Sequence, residues 1–164
     1  MKRAGYFMLL TVAGCGTGDA PPRHELRAAV DRAQYSLGDA VGFAETSMER
    51  STSLSARIDK DVDQFAVGAI AADQRRDVRL DFAGHVVSAR AAGPVLGGCR
   101  AQITLAESLA IAEATVKGAA VAAVADDDDP CLREIQVLVD TTLWEVKIGP
   151  DGAVVETELS DEDL

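Results

Sequence analysis

The chain is poor in several things that most enzymes and binders of nucleic acid possess. Only 4% of its 164 residues are aromatic, so any core must be assembled from Ala, Val, Leu and Ile. Histidine occurs twice and cysteine three times, with no Cys-x-x-Cys and no paired His. A closed zinc site, which needs about four such ligands, is therefore not expected. Gly-x-Ser-x-Gly is missing, so no strained serine elbow is anticipated, and neither catalytic residues nor a cofactor suggest themselves. No uninterrupted apolar run reaches the roughly 20 residues that span a bilayer. Positive charge is scarce, with 16 Lys and Arg against 27 Asp and Glu and a net charge of −11. That balance argues against nucleic acid as a partner, because phosphate neutralisation needs clustered cations. What is present is an apolar fraction of 48%, enough for one or two small folded domains.

The start of the chain reads as an address. Met1-Lys2-Arg3 is basic, and Ala4 to Val12 is an apolar segment of signal-peptide length. Val12-Ala13-Gly14-Cys15 resembles the lipobox of bacterial lipoproteins, in which cleavage precedes a cysteine whose sulfur carries diacylglycerol. The expectation is a signal peptide over residues 1–14 and lipidation of Cys15, with acyl chains such as palmitate as the membrane anchor. The bland alternative is an ordinary signal with an incidental cysteine. Losing Lys2 and Arg3 takes the net charge from −11 to −13, so acidic lipid would repel the mature chain. Anchoring must then come from acyl burial, at about 0.8 kcal/mol per CH₂. Gly16 follows in place of the Asp that favours inner-membrane retention, so the resemblance leans to the outer membrane. Residues 15–30 are expected to be a tether and lead-in, because Gly16, Gly18, Pro21 and Pro22 carry no periodic pattern.

The remainder contains a duplication. A shift of 68 residues places Arg32-Ala33-Gln34 on Arg100-Ala101-Gln102, Leu37 on Leu105, Ala44-Glu45 on Ala112-Glu113 and Gly84 on Gly152. An ungapped register of this kind predicts two units with one fold, over residues 31–90 and 99–159, with an irregular linker at 91–98 and an acidic tail at 160–164. Thr104-Leu105-Ala106-Glu107 is a capping box and Ser36-Leu37-Gly38-Asp39 a weaker version, so each unit opens with a helix. Alternating apolar positions follow, at Leu54, Ala56 and Ile58, then Phe65, Val67 and Ala69, then Val78, Leu80 and Phe82. In the second unit strands are expected from Val121, Leu132, Trp144 and Ala153. Turn signals between them are short, which leaves no room for crossover helices. The fold class is therefore α+β, each unit a helix packed on an antiparallel meander.

Thr104 to Ala112, the strand pair through Val139, Trp144-Glu145-Val146-Lys147-Ile148 and Asp151-Gly152-Ala153-Val154-Val155 together resemble the PepSY domain. The resemblance covers residues 104–159 and, through the duplication, 36–90 as a degenerate copy in which Gly38 and Gly42 weaken the helix. PepSY domains occur in exported bacterial proteins and are thought to modulate peptidases. The resemblance thus implies an exported binding module whose partner is a peptidase or its precursor. The alternative is an envelope-maintenance lipoprotein without such a partner.

Few other residues suggest chemistry. Cys99 and Cys131 form an even pair in an exported chain and could be bridged, or could be two thiols that never meet. Their counterparts 68 residues earlier, Asp31 and Asp63, are a mild objection, since adjacent carboxylates repel. Asp126 to Asp129 is a solvated hairpin turn by default, with a cation site as the sharper reading; the alternating acids of a calcium loop are missing. His24 and His85 are surface residues on this reading. Tyr35, Phe43, Phe65 and Phe82 are expected to fill the core, while Trp144 is either core or an exposed anchor for a partner.

Overall fold

The computed structural model describes residues 23–94, 99 and 101–160. Cys15 and the segments 1–14 and 161–164 lie outside the described residues. Three helices and eight strands are present among those described: α1 (His24–Arg32), α2 (Leu37–Thr46), β1 (Thr52–Asp59), β2 (Gln64–Ala71), β3 (Gln74–Asp81), β4 (Val86–Pro94), α3 (Leu105–Val116), β5 (Ala119–Ala125), β6 (Arg133–Val139), β7 (Thr142–Ile148) and β8 (Val154–Leu159).

Local chemistry sets both main helices. Ser36 Oγ accepts the Asp39 amide at 3.1 Å while the Asp39 carboxylate accepts the Ser36 amide at 3.0 Å. Thr104 and Glu107 do the same at 3.2 and 2.7 Å. The shorter Asp side chain closes its box as fully as Glu does, so α2 forms despite Gly38 and Gly42. A glutamate in the last turns of each helix then bridges to the following strand. Glu45 accepts the Ser53 amide at 2.8 Å and Glu113 the Ala120 amide at 2.9 Å.

The strands form one antiparallel sheet in the order β4-β3-β2-β1-β5-β6-β7-β8, giving the α+β class. Its centre is the β1–β5 pair, where Ala56 faces Ala123 and Arg57 faces Ala122. Helices α2 and α3 touch each other and lie over this middle, α2 on β1 and β2, α3 on β5 and β6. Strand alternation sends Ala56, Ile58, Phe65, Val67, Val78 and Leu80 into one buried cluster with Leu37, Val41, Leu105 and Leu109. Small alanines at the seam, on α2 and α3 as well as on β1 and β5, suit a close helix-to-sheet approach in a chain with few aromatics.

Three expectations need correction. The lead-in at 15–30 is helical from His24, and α1 crosses the expected unit boundary at residue 31. Leu26 and Ala29 are buried in the common core, and both ends of this segment are tied to distant turns through Arg23 N–H to Thr141 O and Gln34 N–H to Phe82 O. The linker expected to be irregular from Ala91 is strand as far as Pro94. Gly93 absorbs the disruption at φ +107°, and Pro94 ends an edge strand, where its missing N–H costs no ladder bond. Tyr35 does not fill the core; it is 41% exposed and meets Phe43 edge-on at 4.9 Å. Space dictates this arrangement, because both rings lie over the turn glycine Gly84, where a Cβ would come within 2.8 Å of Phe43. Phe65 and Phe82 are buried as expected.

Candidate functional site

Cys99 and Cys131 are bridged, with Cα atoms 5.0 Å apart. The bond ties the approach to α3 to the turn between β5 and β6, closing 32 residues of separation. Asp31 and Asp63 do not face each other unneutralised. Arg27 takes Asp31 at 2.6 Å and Arg32 takes Asp63 at 2.6 Å, which removes the electrostatic objection.

The Asp126 to Asp129 run forms the turn, but its first member is not solvated. Asp126 is buried, accepts the amides of Asp128 and Asp129 at 3.0 and 2.8 Å, and meets Lys147 Nζ at 3.1 Å. The Asp129 amide, then the Lys147 ammonium, hold this carboxyl below the usual aspartate range. Lys147 is correspondingly raised, chiefly by its bond to Asp126, with Glu145 and Glu156 each 3.6 Å away. Asp126 is thus committed to organising the turn and neutralising a lysine. Among the described residues no group of three or more His, Cys, Asp or Glu is placed to hold a metal.

His24 opens α1 and is exposed; His85 is exposed in the β3–β4 turn. His85 Nδ1 lies 3.2 Å from Asp81, whose carboxylate also accepts the His85 and Ala83 amides. The His85 amide bond is the main reason that Asp81 stays below its ordinary range. Trp144 is half-buried on β7, between Val137 on one side and Leu159 on the other, so neither extreme describes it.

Two features of the sheet offer contact surface. Its outermost strands among the described residues are unlike. β8 carries Glu156 and Glu158 and is exposed throughout, an acid-guarded edge. β4 reads Val-Val-Ser-Ala-Arg-Ala-Ala-Gly-Pro, almost all of it exposed, with Arg90 its one charge. The second feature is a trough of about 280 Å³ lined by β1, β2 and β3. Alternation places Ser55, Arg57, Ala66, Gly68, Arg75, Asp77 and Arg79 on the face away from α2 and α3. Across the strands Arg57 opposes Ala66, which opposes Arg79, so small β2 residues lie between cationic walls. Arg79 pairs with Asp59 at 2.7 Å, and Arg75 approaches Asp77 only to 3.9 Å. Arg57 is exposed and makes no ion pair among the described residues.

Sequence reasoning missed this trough. The signal was present in Gln-Arg-Arg-Asp-Val-Arg-Leu at 74–80, where Arg75, Asp77 and Arg79 share a face by a period of two. What could not be read was that β1 would place Arg57 opposite them across a strand with Ala66 and Gly68.

Comparison with known proteins adds little. No family model matches the chain, and no curated protein matches its sequence. A crystal structure of a candidate lipoprotein from Clostridium difficile 630 superposes with a TM-score of 0.43 at 15% identity, covering 74% of this chain and 91% of that one. A likeness that loose assigns neither fold family nor activity.

Proposed function

We infer that this chain is an exported, lipid-anchored binding module that acts by contact and not by turnover. Its anchor is Cys15, placed by the lipobox-like Val12-Ala13-Gly14-Cys15, with the outer membrane favoured by Gly16. Its body is a tandem of two PepSY-like units. That reading is supported by capping boxes at Ser36 and Thr104 and by positive-φ glycines at Gly84 and Gly152, each pair 68 residues apart. The partner is a co-exported peptidase or its precursor, held by strand addition.

The observation that carries this reading is the β4 edge. An exposed, weakly charged edge strand presents unpaired backbone groups and is a template for another chain. Val86 and Val87, 45% and 56% exposed, supply apolar contact beside it. The test is capture from an envelope extract of the native cell by full-length protein and by Val87→Lys/Ala91→Lys, two gatekeeper charges placed on β4. A peptidase retained by the parent and lost by the variant supports the reading, and capture unaffected by the variant overturns the edge. Absence of any peptidase would favour the envelope-maintenance alternative. Intact-mass measurement finding no lipid on Cys15 would overturn the anchor.

A further inference from the structure

The β1–β3 trough is unusual for this molecule, because it gathers Arg57, Arg75 and Arg79 on one face of a chain whose net charge is −11. Like charges gathered on one open face repel unless neutralised, the more weakly the farther apart they stand. Here Arg79 pairs with Asp59 at 2.7 Å, Arg75 meets Asp77 at 3.9 Å, and Arg57 makes no ion pair among the described residues. The floor is kept open by Gly68, at which a Cβ would stand 2.5 Å from Ser55 Oγ. Ser55 therefore leans over β2, and Arg75 Nη2 reaches the same spot, 3.7 Å from where that Cβ would stand. Val124 adds an apolar rim, 46% exposed.

We propose that this trough is a binding site for an extended acidic peptide segment, with carboxylates taken by Arg57 and Arg75 and a neutral or donor residue between them. Charge complementarity selects an acidic occupant. Planar guanidinium forks match carboxylates with two parallel hydrogen bonds, which a point charge does not. The trough runs along β2 and is walled by β1 and β3, a width of two strand spacings, or about 9.6 Å, which admits one extended chain. Asp77 lies on β3 between Arg75 and Arg79, so an unbroken polyanion would meet a like charge at mid-trough. Carboxylates separated by small or hydroxyl residues avoid it. The same Asp77, with the apolar Ala66 floor and Val124 rim, makes the surface a poor match for a bare inorganic anion. This site is on the sheet face, separate from the β4 edge, and it stands whether or not that edge binds a partner.

The experiment is fluorescence anisotropy of a dye-labelled acetyl-Glu-Ala-Ser-Ala-Glu-amide titrated with full-length protein in neutral detergent. Saturable binding is expected, weakened about tenfold by Arg57→Ala, the size of one charge-assisted hydrogen-bond pair, and similarly by Arg75→Ala. Both side chains are substantially exposed, and unchanged melting temperatures check that each variant folds. Raising salt from about 0.05 to 0.5 M should weaken binding, since both partners are exposed. The peptide with Gln for both Glu should not bind. Unchanged affinity in both arginine variants, equal binding of the Gln peptide, or displacement by inorganic phosphate at the same concentration as unlabelled peptide would each overturn the proposal. None of these outcomes depends on an envelope partner, so failure here is distinguishable from failure of the edge reading.

Discussion

The two halves of the sheet meet at β1 and β5, and positions 68 residues apart in them are filled by opposite means. Where the second half has the Cys99–Cys131 bond, the first has Asp31 and Asp63, each held by an arginine from or beside α1. Phe65, fully buried on β2, corresponds to Arg133 on β6, which donates to Thr104 O at 2.8 Å and to Ser108 Oγ. Burial lowers the Arg133 pKa. Arg79, in a trough of cations, corresponds to Lys147, enclosed by Asp126, Glu145 and Glu156. The lesson is that positions 68 residues apart in the sequence are held by apolar, ionic or covalent means within one continuous sheet. On the open face of the first half, Arg57 is exposed and makes no ion pair among the described residues.

The largest effect expected from breaking this contrast is at Phe65. Truncation to Ala should cost about 4 kcal/mol, by transfer and cavity terms together, because Phe65 is among the largest fully buried side chains of the core. Urea denaturation checks it; a loss under about 1 kcal/mol would mean that the first half packs far more loosely. Reducing Cys99–Cys131 comes next. Chain-entropy arithmetic for a separation of 32 residues gives about 3.7 kcal/mol as the scale. Cys99→Ser/Cys131→Ser should reproduce the effect of reductant, and reductant should then change nothing further. An equal sensitivity of the double variant to reductant would show that the bond is not the source.

These two sites also show how much could be read in advance. Helix starts, strand centres and most of the buried set were legible because capping boxes and period-two apolar runs are local signals. Leu54, however, is 41% exposed, because a bulge between Ser53 and Ser55 breaks the alternation that was expected to align it with Ala56 and Ile58. Helix α1 was not legible, since its amphipathic turn carries few apolar residues and its placement depends on Thr141 and Phe82, far away in sequence. The pairing of Cys99 with Cys131 was one of two readings that an even cysteine count left open, and the structure decides for the bond. The partners of Asp31 and Asp63 were not legible, because which arginine reaches which carboxylate depends on α1. The trough escaped for the same reason: Arg57 and Arg79 face each other only through β2.

A pH titration sharpens the contrast between Lys147 and Arg79. Asp126 has a folded pKa below its unfolded one, so its contribution is present above the ordinary aspartate range and is lost as pH falls through the folded value. Asp126→Asn should therefore lower stability at neutral pH and flatten the acid limb of the stability curve. The variant also leaves Lys147 with only Glu145 and Glu156 at 3.6 Å. Parallel acid limbs for parent and variant, followed by urea melts between about pH 2 and 7, would mean that Asp126 is not the group titrating.

The smallest effect belongs to the ionic counterpart of the disulfide. Arg32 reaches Asp63 in bidentate fashion, at 2.6 and 3.2 Å, and the Arg32 pKa is raised mainly by that hydrogen bond. Yet the side chains are 49% and 51% exposed, so solvent screens the pair and most of the attraction is spent on holding two mobile side chains. A double-mutant cycle of Arg32→Ala and Asp63→Ala should therefore give a coupling near the scatter of the measurement, and 0.5 M salt should erase what remains at low ionic strength. A coupling that persists in salt would show that the end of α1 is pinned by this pair, and that the first half has an ionic staple comparable in kind to the covalent one. In its absence α1 is held by the burial of Leu26 and Ala29 and by its two backbone ties, and the first half should be the one that opens first when amide exchange is followed strand by strand.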